Sequence, residues 1–105
     1  MAITNSQLSA SGNTNVFVSS GENAVTALIF CNTSNSTDAD INIWMVPNGF
    51  AAGDNNKIVH EVFLGRGETF SIDTEKFILG SGDSIVASAT QNSIITATVS
   101  YIQLF

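Results

Sequence analysis

A chain of 105 residues is the length of one domain and is long enough to bury a hydrophobic core without a metal or disulfide staple. Three basic residues (Lys57, Arg66 and Lys76) stand against nine acidic ones, giving a net charge of −6, so a phosphate-neutralising nucleic-acid surface is excluded. Charged residues make up 11% of the chain and hydrophobic ones 44%, the reverse of a disordered composition, and solubility rests on hydroxyl and amide side chains.

Apolar residues come in short runs separated by Gly, Asn, Ser and Asp, and no run keeps a helical period for three turns. A polar leader opens the chain, with a weak strand at residues 7–10, and residues 1–14 are expected as an extended N-terminal arm that orders on a partner. Val16-Phe17-Val18 is the first firm strand. In residues 24–32, Val25, Ala27, Ile29 and Cys31 share one face while Leu28 and Phe30 make the other apolar too, as in a strand covered on both sides or at an interface. Residues 33–38 read as a turn and residues 39–46 as a strand, which Pro47 ends because it has no donor. Residues 48–57, with two Gly and three Asn around Phe50, form the longest irregular segment.

Residues 58–64 are the next strand, and the turn Gly65-Arg66-Gly67-Glu68 leads to residues 69–73 as an expected hairpin partner. Residues 73–76 read as a helical turn or corner, followed by a short strand at 77–79 and a glycine-bearing turn at 80–83. The last strands are residues 84–90 and 94–104. In the final one Ile95, Ala97, Val99 and Tyr101 face one way, and Ile102 with Leu104 breaks the period, which suggests a bulge or a covered strand end. About seven to eight antiparallel strands with regular turns describe an all-β, single-domain β-sandwich or jelly-roll-like fold.

The opening Met1-Ala2-Ile3-Thr4 has no cationic start and no apolar run behind it, so no secretory signal is read there. The longest apolar run, residues 27–31, is far too short to span a membrane. Cys31 is alone and, beside Ile29 and Phe30, reads as a small buried hydrophobe. Asn32-Thr33-Ser34 and Asn35-Ser36-Thr37 fit the glycosylation pattern but, without a secretory signal, mark only a polar loop.

No constellation required by an enzyme is present. His60 is the single histidine and alternates with Ile58 and Val62 as a core-edge or interface side chain, and no G-x-S-x-G elbow occurs. Asp38-Ala39-Asp40-Ile41-Asn42 opens like an EF-hand loop, but Ile43 stands where glycine is needed and Gly49 where a bidentate carboxylate is needed. Weaker calcium binding by Asp38, Asp40 and Asp54 requires two loops to meet. Asp73 and Glu75 suit glycoside hydrolysis only if a cleft holds them apart, and beside Lys76 they read as a charged corner. Gly65-x-Gly67 and Gly80-x-Gly82 continue to no phosphate loop and are turns. Trp44, Phe50 and Phe63 are the candidates for an aromatic sugar platform. The reading is therefore non-enzymatic, with no cofactor and no metal.

Strands apolar on both faces (Leu28 and Phe30, Trp44 and Val46, Val59 and Phe63) carry more apolar surface than one small core can hide, so subunit contacts are expected, with Leu28, Phe30, Trp44, Phe50 and Phe63 as candidate interface or loop residues. Low charge fits the core of a permanent interface.

The runs AVTALIFCNT (24–33), INIWMVPNG (41–49), DTEKFIL (73–79) with GDSI (82–85), and TATVSY (96–101) resemble small virion structural proteins of tailed bacteriophages, frequent in phages of cyanobacteria and marine bacteria. The resemblance spans residues 24–102 and lies in strand phrases. It implies a many-copy β-sandwich in the virion, assembled in the host cytoplasm: a capsid decoration (cement) protein in contact with the major capsid protein and itself. A homo-oligomer is expected, with a trimer among its forms. The alternatives are a neck, tail or fibre-attachment protein, or a host-glycan-binding module using Trp44 and residues 48–57.

Overall fold

The computed structural model describes residues 2–74 and 76–104. Among these described residues nine strands follow one another: β1 (Ala2–Gln7), β2 (Thr14–Val18), β3 (Asn23–Asn32), β4 (Ala39–Val46), β5 (Lys57–Leu64), β6 (Thr69–Ile72), β7 (Phe77–Leu79), β8 (Ser84–Ala89) and β9 (Ile95–Gln103). Sheet I has the order β1-β9-β3-β6, with β7 also on β3, and sheet II has the order β2-β8-β4-β5. Every pairing is antiparallel. The pairings β4·β5, β3·β6 with β3·β7, β2·β8 and β1·β9 are nested, as in a long two-stranded ribbon folded at the β4–β5 connection and then rolled into two sheets. This is the topology of a jelly roll, with β6 and β7 sharing one strand position.

The all-β sandwich expected from the spacing of apolar runs is thus present. Its core lies between the sheets and is built by strand alternation: Ile41 and Ile43 from β4, Ile85 and Ala87 from β8, Ile95, Ala97 and Val99 from β9. Tyr101 continues the inward row of β9 and stacks obliquely on Phe17 at 4.7 Å between ring centres. Ile102 then points outward in step with Ser100, so the period of β9 is unbroken and the expected bulge is not in this strand.

The bulge lies instead in β3, where the register against β9 shifts between Val25 and Ala27. Thr26 is the extra residue, held by its Oγ1 donating to the carbonyl and hydroxyl oxygens of Ser100 at 3.1 and 3.0 Å. One added residue brings Val25 onto the same inward side as Leu28 and Phe30. All three are fully buried, and the expectation that Leu28 and Phe30 form an interface is corrected: they are core.

Two further expectations change. Residues 2–7 are not a free arm but a regular edge strand on β9, paired without interruption from Ala2↔Tyr101 to Gln7↔Thr96. Residues 69–72 do not form a hairpin with β5, because the Gly65–Glu68 turn carries the chain from sheet II to sheet I, where β6 pairs with β3. The Glu68 carboxylate accepts from Gly65 N at 2.7 Å and holds that crossing. The corner at residues 73–76 includes Glu75, outside the described residues.

Buried amides fasten both ends of the sandwich. Asn32, wholly inaccessible, donates from Nδ2 to the carbonyls of Thr37 and Leu64 at 3.0 Å each and accepts from Ser34 N through Oδ1. It bridges the end of β3 to the end of β5 in the opposite sheet. Asn23 does the same work at the other end by donating to Ser19 Oγ at 2.8 Å and the carbonyl of Ser20. Nearby, Gly82 has φ +85° and its missing Cβ would fall 2.5 Å from the Asn48 amide, so backbone conformation and packing both require glycine there.

Candidate functional site

Trp44 and Lys57 sit opposite each other on β4 and β5, and the Lys57 ammonium lies 5.2 Å from the indole centre, which leaves Trp44 half-buried. Lys57 Nζ is also 2.6 Å from His60 Nδ1. On its other side, His60 Nε2 lies 3.6 Å from Glu61 Oε1. His60 is therefore an exposed surface residue linking a cation to a carboxylate, and not the core-edge side chain that alternation suggested. Beside it opens a shallow hollow of about 390 Å³ lined by Asp54, Lys57, Ile58, Val59 and His60, a lining without a hydroxyl or thiol nucleophile.

The aromatic candidates are not brought together. Phe63 is 62% exposed and lies opposite Asp40, four residues along β4 from Trp44, about 13 Å away. Phe50 is 68% exposed in the loop after Pro47. The acidic candidates are likewise dispersed: Asp38 accepts from Arg66 N at 2.9 Å, Asp54 lines the hollow, and among the described residues no three His, Cys, Asp or Glu side chains converge. Asp73 is exposed, and its pairing with Glu75 falls outside the described residues. Cys31 is a free, half-buried thiol, held by alternation on the outer side of sheet I and not in the core.

What the tertiary structure does assemble is the outer face of sheet I. None of β1, β3, β6, β7 or β9 contains a single charged residue. Registered rows cross the face. Asn5, Thr98, Ile29 and Ser71 form one; Gln7, Thr96, Cys31 and Thr69 form the next; Ile102, Ala24 and Ile78 close the far end. Thr98 Oγ1 donates to Asn5 Oδ1 at 2.9 Å, joining β9 to β1 within the first of these rows. Ile78 is 61% exposed, and Ile29 and Ile102 are open to solvent as well.

With four strand positions at about 4.8 Å spacing and a nine-residue β9, the face measures roughly 600 Å² in projection, against the ~800 Å² per partner of a standard protein interface. Composition fits the same use, since interface centres are depleted of charge. Sequence reading missed this surface because its members come from five strands, each unremarkable alone. The available signal was negative: five strand segments without one Asp, Glu, Lys or Arg.

Among the described residues no helix is long and apolar enough to cross a membrane. Comparison of the chain with protein-family models, with curated proteins and with solved structures finds no match.

Proposed function

We propose that this chain is a non-enzymatic structural subunit of a tailed-phage virion, a head-decoration protein that docks the outer face of sheet I on coat protein. The observation that carries the docking is the segregation of charge: a molecule of net charge −6 keeps all five strands of one sheet free of charged residues, with Asp73 and Lys76 only at its far edge. Placement in a virion rests on the resemblance of the strand phrases at residues 24–33, 41–49, 73–79 with 82–85, and 96–101, and the jelly roll is an architecture that capsid proteins use widely. The action is mechanical. Apolar and hydroxyl contacts to neighbouring coat subunits, repeated over many copies, multiply modest affinities into resistance of the shell to internal pressure.

Quantitative mass spectrometry of purified particles tests the assignment. Decoration requires on the order of hundreds of copies per particle, as multivalent reinforcement demands. A dozen or fewer would move the protein to the neck or tail, and absence from particles would overturn the reading. Thr98→Lys, which places an ammonium in the centre of the face, is expected to abolish binding to undecorated heads while the isolated subunit stays folded.

A further inference from the structure

The four strand edges of this sandwich are not alike. On sheet II, β5 is broken by two register shifts against β4, carries Lys57 and Glu61, and holds Glu61 at φ +48° with its N–H donating to Asn42 Oδ1. The β2 edge has a register shift between Asn15 and Phe17. On sheet I the far edge is split into β6 and β7, of four and three residues, with Asp73 and Lys76 between them. Bulges, charges and short strands are the devices that keep an edge from pairing with another chain. The β1 edge has none of them: six residues, no charge, no proline and an unbroken register on β9.

The direction of its main-chain groups follows from one hydrogen bond. Leu8 N donates to the Ile95 carbonyl at 2.9 Å, continuing the register Gln7↔Thr96, so Ser6, Thr4 and Ala2 face β9 with their N–H and C=O groups. Antiparallel alternation then turns those of Ile3, Asn5 and Gln7 away from β9 to the open edge. Among the described residues β1 pairs with no strand but β9.

We propose that β1 pairs antiparallel with β1 of a second copy of this chain, about a two-fold axis at Asn5. In that register Ile3 meets Gln7 of the second copy, Asn5 meets Asn5, and Gln7 meets Ile3, so all three outward-facing residues of each strand are used. Each pair exchanges two bonds, about six in total. The occupant is a second copy for two reasons. The other three edges are blunted, so the partner offering an equally flat edge is β1 itself. Two chains of net charge −6 repel, and this approach brings no charged side chain of either β1 against the other. An isologous edge closes at two copies, which makes the proposed homo-oligomer a dimer. It joins two charge-free sheet exteriors into one continuous surface, and it does not depend on the virion assignment.

Analytical ultracentrifugation of the intact chain, with a Cys31→Ser background for cross-linking, tests the proposal. The wild type is expected to sediment as a concentration-dependent dimer. Asn5→Pro removes an edge donor without touching the β9 ladder and should weaken the dimer by about tenfold or more. Independently, Asn5→Cys places two thiols on paired Cα atoms about 5.5 Å apart, within disulfide reach, and should yield a covalent dimer on mild oxidation while Asn15→Cys on the β2 edge does not. A monomer throughout the concentration range, a dimer unmoved by Asn5→Pro, or equal cross-linking at positions 5 and 15 would overturn it.

Discussion

Sheet I turns Thr, Ser, Asn and Ile to solvent without one charged residue in its strands, whereas sheet II carries Asp40, Lys57 and Glu61 and shields Trp44 with Lys57. Their inner faces are interchangeable in kind, both rows of Ile, Val, Leu and Ala filling one core. Inward residues answer to packing, and packing is the same problem for both sheets. Outward residues answer to what the face meets. A difference confined to the exteriors is the one that the proposed docking of sheet I on protein would require, with sheet II left to solvent. The edges repeat the contrast, with β5 bulged and charged and β1 flat and neutral.

The comparison can be broken first at what the sheets share. Phe30→Ala empties the largest fully buried side chain and should lower the unfolding free energy by about 3–5 kcal/mol, with both sheets melting in one denaturant transition. Separate transitions would mean two cores. Asn32→Ala removes the amide that joins the sheets at one end and strands two carbonyls and one N–H; a loss of about 2 kcal/mol in the same denaturation is expected, and near-neutrality would mean that water replaces the amide.

Smaller changes sharpen the contrast between exteriors. Thr98→Lys and Phe63→Lys each add one ammonium at an outward position of sheet I and sheet II, and both should alter stability by about 0.5 kcal/mol or less in thermal melts. Binding to undecorated heads separates them: it should be lost for the first and kept for the second. A change of the same small size is expected for Lys57→Gln, which removes the cation over Trp44 at a cost of about 0.5 kcal/mol and should move the indole fluorescence to longer wavelength as the ring meets water.

Much of the fold was legible from the chain because strand, turn and core all announce themselves in local spacing. Ile41 and Ile43, or Ile95, Ala97 and Val99, declare an inward face by alternation alone. Where alternation failed, a single backbone residue was responsible: Thr26 bulges out of β3 and returns Val25 to the side of Leu28 and Phe30. The hairpin expected between β5 and β6 failed for a different reason, since the same Gly-bearing turn that closes a hairpin can carry a chain across to the other sheet. Asn32 reads in sequence as a loop residue of a glycosylation pattern and is instead an inaccessible clamp, because its partners Thr37 and Leu64 come from a turn and from the other sheet.

By itself the sequence determined an all-β domain with a shared apolar core and too few charges to suit nucleic acid, because composition and residue spacing act through local propensity and burial, which need no knowledge of neighbours. Only the tertiary structure decided which strands lie side by side. Register and sheet order gathered five neutral strands onto one exterior and left β1 as its one unguarded edge, and both are properties of pairing between distant segments.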